Sequence, residues 1–187
     1  MKNEKRTNVC NWFNLLLALT LLSASAAQNR AAETCEGINL PLDIRRHIEQ
    51  ESSQWKVINV SDLDPKYRTF WLSKYSGDCP GIAIGQFKPS SRTLYAVALV
   101  SRTLNAHVKI LVFEYKSNKY RSTVLMDTMS ANPVPTIFKV PPDTFEDWET
   151  GDNVMTGYPG VALAFYEGSS TLFYWSNGKF KELQISD

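Results

Sequence analysis

The feature that most limits how this chain can fold lies near its C-terminus. Phe173-Tyr174-Trp175 and the run from Phe180 to Ile185 are β-forming stretches separated by Ser176-Asn177-Gly178. Asn-Gly tolerates positive φ at both centres of a tight turn, and that turn has the twist a two-stranded antiparallel pair needs. The sequence therefore predicts a hairpin here. The same logic repeats upstream. Val108 to Tyr115 and Tyr120 to Met126 flank Ser117-Asn118, and Val161 to Tyr166 and Thr171 to Trp175 flank Glu167-Gly168-Ser169. Ile82 to Phe87 reads as another strand, closed by a turn at Lys88-Pro89-Ser90-Ser91. Leu94-Tyr95-Ala96-Val97-Ala98-Leu99-Val100 is apolar on both faces and is expected as a central strand.

Helical signals occur only before this region. Asn39 is the expected cap of a first helix, with Pro41 in its first turn and Ile44 and Ile48 one turn apart. Trp55 to Val60 reads as a strand, followed by a second short helix with Asp64 as cap and Pro65 at its first position. Tyr67, Phe70, Trp71 and Tyr75 crowd one side of that helix, and Ser76-Gly77 ends it. The fold class expected is α+β, an antiparallel β-meander sheet with the two short N-terminal helices covering one face or end.

The first residues bear on compartment. Lys2, Lys5 and Arg6 outweigh Glu4, an apolar run peaks over residues 15–22, and Ser23-Ala24-Ser25-Ala26 supplies small residues. Positive start, short apolar middle and small-residue end predict a signal peptide over residues 1–26, cleaved after Ala26 or one residue later. The apolar run is shorter than the roughly 20 residues a membrane-spanning helix needs. Residues 27–187 are then expected as a single globular, mostly β domain, periplasmic or secreted, with no stable membrane insertion after cleavage. The chain carries 20 Lys and Arg against 19 Asp and Glu, and removing the leader's net +2 leaves the remainder near −1. So neutral a balance supplies no general attraction for nucleic acid. Cys10 would leave with the leader, and the remaining pair, Cys35 and Cys79, is expected as one disulfide.

Cys79-Pro80-Gly81-Ile82-Ala83-Ile84-Gly85-Gln86-Phe87, with Leu94 to Val100 after it, resembles a group of small exported, largely uncharacterised bacterial proteins. In that group a Cys-Pro-Gly turn leads into a strand ending Gly-Asp-Phe, then a calcium-binding turn like that of an FG-GAP repeat. Tyr174-Trp175-Ser176-Asn177-Gly178-Lys179-Phe180 and Ile185-Ser186-Asp187 resemble the group's C-terminal hairpin. The resemblance implies an exported β fold. Here the FG-GAP-like segment is degenerate: Gln86 stands where the acid would be, and Lys88 to Thr93 contains no carboxylate. Calcium usually needs two or more carboxylates, so no metal is expected.

Motifs that carry chemistry are sparse. His47 and His107 are the only histidines and read as ordinary surface residues; no Gly-x-Ser-x-Gly is present. No catalytic residue and no cofactor is assigned. Residues 131–160, rich in Pro and Gly, read as a long irregular stretch of the kind that is often functional. Within it, Asp143-Thr144-Phe145-Glu146-Asp147-Trp148-Glu149-Thr150-Gly151-Asp152 holds five acids, no base and two large aromatics. Basic residues fall elsewhere, at Arg102, His107, Lys109, Lys116, Lys119 and Arg121. Rings beside carboxylates suit a binding loop: the rings anchor and the charges steer. Phe145, Glu146, Asp147, Trp148 and Glu149 are therefore the interface candidates. The alternative is a solvated loop whose two rings tuck back onto the sheet. The function expected is a non-catalytic exported binding protein of inhibitor or immunity type, whose partner is a protein with a basic surface. A small hydrolase working through two carboxylates, or a carrier of a small apolar or sugar ligand, are the other readings. Asn59-Val60-Ser61 is also a glycosylation sequon.

Overall fold

The computed structural model describes residues 35–50, 53–89, 92–103, 107–128 and 133–186. The expected signal peptide lies outside the described residues, as do Ser90 and Ser91 of the first turn. After a 3-10 turn at Cys35–Gly37, helix α1 runs Leu42–Gln50. The Pro41 carbonyl accepts from the amides of Ile44 and Arg45 at 3.0 and 3.1 Å. The helix thus starts at Pro41, where a missing amide costs nothing, and not at Asn39. Strand β1 is only Trp55–Val57. It stops short of the expected Val60 because the Asn59 side chain accepts from the Val60 amide at 2.7 Å while Asp62 accepts from the Asn59 amide at 2.9 Å. This reciprocal cap starts a 3-10 turn at Val60–Asp62 and takes the backbone out of the ladder. Helix α2 spans Pro65–Lys74; Asp64 Oδ1 caps it, accepting from the Lys66 amide at 2.9 Å. Gly77, at φ +92°, reverses the chain after it.

Among the described residues, eleven strands are distributed over three antiparallel sheets rather than one meander. The first sheet contains β1, β2 (Ile82–Gly85), β3 (Leu94–Ser101), β4 (Val108–Lys116) and β5 (Lys119–Thr128). β3 is interior: β4 pairs with one side and β1 and β2 share the other. The second sheet has the order β11-β10-β9-β6, with β6 Thr136–Val140, β9 Gly160–Ala164, β10 Ser170–Ser176 and β11 Lys179–Ser186. The third is a ribbon of β7 (Thr144–Glu146) and β8 (Asn153–Met155). Ser117-Asn118 and Asn177-Gly178 close their hairpins with positive φ at all four residues, 52°, 62°, 51° and 82°. These are the mirror-image turns that the twist of a hairpin favours.

Side-chain parity along the strands stacks these pieces in layers. Leu94, Ala96, Ala98 and Val100 of β3, with Val108, Ile110 and Val112 of β4, pack against Ile137, Val161, Leu163 and Phe173 of the second sheet. Tyr67 and Trp71 of α2 join this central core. Val97, Leu99, Leu111 and Phe113 point the other way and pack with Ile44 of α1. The two helices therefore serve different cores. On the far side of the second sheet, Leu172, Tyr174 and Leu183 are covered by Phe145 and Val154 of the ribbon. Cys35 and Cys79 are bonded, with sulfurs 1.97 Å and Cα atoms 5.0 Å apart, which joins the start of the described chain to the turn before β2. No helix among the described residues is long and apolar enough to cross a membrane.

Candidate functional site

The acidic-aromatic segment is not irregular. Phe145 pairs with Val154 across the ribbon, and both pack onto the outer face of the second sheet. Two clasps hold the ribbon. At its base, the Thr156 amide donates to the Asp143 carbonyl at 2.9 Å, and the Asp143 amide donates to Thr156 Oγ1 at 3.1 Å. At its tip, the Asp147 amide donates to the Asp152 carbonyl at 2.8 Å and the Gly151 amide to the Asp147 carbonyl at 2.7 Å. Asp147 Oδ1 accepts from the Glu149 amide at 3.0 Å, and Thr150 Oγ1 from the Asp152 amide at 3.2 Å. Gly151 stands at φ +75°, a conformation that side chains rarely adopt. The Trp148 amide donates to the Gln184 carbonyl of β11 at 2.8 Å, which fixes the tip to the edge of the second sheet.

These bonds leave Trp148 63 % exposed, while Phe145 is half-buried. Glu146 and Glu149 are exposed and Asp147 is partly covered. Met155, on the outward side of the ribbon opposite Thr144, is also exposed. The two aromatic rings thus divide the roles open to them: Phe145 anchors the ribbon to its own sheet and Trp148 faces solvent. Side-chain oxygens of Asp147 and Thr150 bond the tip's own backbone amides, which gives the acidic tip a defined turn.

The basic residues form two groups rather than one. Arg102, His107 and Lys109 gather around Trp55 and Asp127. His107 Nε2 lies 2.5 Å from Asp127 Oδ1, and Lys109 Nζ is 4.0 Å from the other carboxylate oxygen and 4.4 Å from the Trp55 ring centre. Arg102 Nε donates to the Trp55 carbonyl at 3.3 Å. Neither histidine is a plain surface residue: the His107 ring meets Trp55 edge to face at 4.8 Å, and His47 meets Phe113 at 5.2 Å. Lys116, Lys119 and Arg121 sit instead at the tip and outer strand of the β4–β5 hairpin.

A cleft of about 740 Å³ opens between the two large sheets, where β5 ends one and β11 ends the other. Leu94, Val112, Leu125, Phe173 and Phe180 form its apolar walls, and Lys88, Glu114, Lys179, Lys181 and Glu182 its polar lining. Lys88 Nζ bonds Glu114 Oε2 at 2.6 Å and lies 5.0 Å over the Trp175 ring, which meets Phe180 edge to face at 5.2 Å. The cleft was not foreseen from sequence. A usable signal existed: a two-residue turn at Asn177-Gly178 places Trp175 directly opposite Phe180. Among the described residues, no three His, Cys, Asp or Glu side chains gather as a metal-binding group. No protein-family model, no curated protein and no solved structure matches the chain.

Proposed function

We propose that this chain is a non-catalytic exported binding protein, of inhibitor or immunity type, that engages a protein with a basic surface through the tip of the β7–β8 ribbon. The observation that carries this reading is Trp148, 63 % exposed and flanked by Asp147 and Glu149 in a tip whose backbone is tied at both ends and to β11. A large exposed ring on a flexible loop would lose much of its binding energy to ordering; one already held in place would not. Trp is also among the side chains that most often dominate protein interfaces, and carboxylates around it speed and orient the approach of a positive partner. Phe145 supports the site from beneath, and Glu146, Asp147 and Glu149 supply its charge.

The test compares the protein with its Trp148→Ala and Glu146→Lys/Glu149→Lys variants. Trp148→Ala is expected to leave stability within about 1 kcal/mol of the parent, as for an exposed position. Affinity capture should recover a partner with the parent and lose it with the alanine variant. The charge-reversed variant should associate more slowly and lose the salt dependence of the parent. A stability loss of about 3–5 kcal/mol on Trp148→Ala would make the ring core, and unchanged capture by both variants would move the interface elsewhere.

A further inference from the structure

A second surface lies at the open side of the two large sheets. β5 ends its sheet, and among the described residues its only backbone partner is β4. Pairing with β4 is regular from Lys119 to Val124; the register then shifts, leaving Leu125 as a bulge. A bulge twists an edge away and stops further pairing, so the usable edge is the six-residue run before it. Ladder parity divides that run. Lys119, Arg121 and Thr123 lie opposite Lys116, Glu114 and Val112 on one face, whose Thr123 end reaches the cleft. Tyr120, Ser122 and Val124 lie opposite Tyr115, Phe113 and Leu111 on the other, with Val124 also touching the cleft rim. Val124 is exposed.

Charge selects what can pair there. Lys116, Lys119 and Arg121 stand at this end of β4 and β5, and Lys179 and Lys181 line the cleft from the other sheet. Of the two acids lining the cleft, Glu114 is held by Lys88. A second copy's β5 would bring the same two cations, Lys119 and Arg121, to the same short edge, and like charges in such a pair are unfavourable. An extended segment with acids at that end meets complementary charge instead. Its next inward residue reaches the cleft beside Thr123, where Leu94, Val112, Phe173 and Phe180 offer an apolar wall. The edge across the cleft already takes a bond of this kind, from the chain's own Trp148 amide to the Gln184 carbonyl.

We propose that β5, from Lys119 to Val124, binds an extended acidic peptide segment as an added strand, its inward side chains reading acid, acid, aromatic against Lys119, Arg121 and the cleft. Main-chain bonds then supply affinity, and the alternate side chains supply selection. This site is separate from the ribbon tip and takes a partner of opposite charge.

Fluorescein-labelled peptides Glu-Thr-Glu-Thr-Phe-Val and its reversed order, Val-Phe-Thr-Glu-Thr-Glu, are titrated against the full protein, with amide shifts recorded by NMR. One of the two orders is expected to bind saturably and to shift residues 119–124 together with Phe180. N-methylation of that peptide should abolish binding in one alternate frame and be tolerated in the other. Lys119→Glu/Arg121→Glu, both exposed positions, should weaken it at least tenfold, and Trp148→Ala should leave it unchanged. Four results overturn the proposal: no binding in either order, equal tolerance of both methylation frames, loss in Trp148→Ala with retention in the charge-reversed variant, or concentration-dependent self-association through residues 119–124 without peptide.

Discussion

Trp71 is 1 % exposed, and its indole N–H donates to the Asp78 carbonyl at 3.2 Å. Tyr75 lies against its ring at 4.7 Å and Tyr67 meets it edge to face at 6.2 Å. Trp71→Ala is therefore expected to cost about 3–5 kcal/mol in chemical denaturation, the opposite of the outcome expected at the ribbon tip. Tyr67 gives a residue-scale prediction in pH. Burial pushes its hydroxyl above the ordinary tyrosine value of 10.0, against the opposing pull of Thr136, whose Oγ1 lies 2.5 Å away. A raised folded pKa means that folding favours the protonated form. The contribution is complete below about pH 10 and is lost as pH rises through the folded pKa. Denaturation midpoints should hold up to about pH 10 and fall above it, and Tyr67→Phe should make that fall shallower. Sequence already separates Trp71 from Trp148: an aromatic face on a helix reads as core, whereas Trp148 stands between Asp147 and Glu149 in a segment without a base. In the structure α2 turns Trp71 inward with Tyr67, whereas Trp148 occupies a turn, which has no inward side.

At the scale of elements, β3 shows the clearest agreement between pattern and structure. Its residues from Ala96 to Leu99 are fully buried, and Val97 faces the core beneath α1. Val97→Asp would place an unpaired charge in that core at a cost of several kcal/mol, against a total stability of about 5–15 kcal/mol. It is expected to abolish the cooperative unfolding transition seen by circular dichroism. The hairpins around Ser117-Asn118 and Asn177-Gly178 were equally legible, because turn chemistry fixes register locally. The ribbon was not, because β7 and β8 are three residues each and lie among prolines and glycines that read as loop. Its strands persist through clasps made by Asp147, Thr150 and Thr156, side chains that compete for backbone bonds in ways no periodicity reveals. The early end of β1 has the same origin, in Asn59.

For the molecule as a whole, class was legible and layering was not. Alternation says that a strand has two faces, but not which partner each face meets. Leu172 and Phe173 are neighbours in β10, yet one packs under the ribbon and the other into the central core. The cleft escaped notice for the same reason, being made where two sheets end. The Cys35–Cys79 bond acts at this scale, closing a loop with a sequence separation of 44 around α1, β1 and α2. Loop-closure entropy puts its worth at about 4 kcal/mol. Cys35→Ala/Cys79→Ala is expected to lower stability by about 2–4 kcal/mol in urea titration, with less loss if the reduced unfolded chain keeps structure.

That covalent loop also changes how the chain responds to force. Pulled from residue 35 and the C-terminus, the oxidised protein transmits tension through the bond and not through α1, β1 or α2. Even when everything else has come apart, those elements carry no load. The fully extended oxidised chain should be shorter than the reduced one by about 150 Å, the span of 44 residues at about 3.4 Å each. Reducing agent added under tension should release that hidden length in a single step.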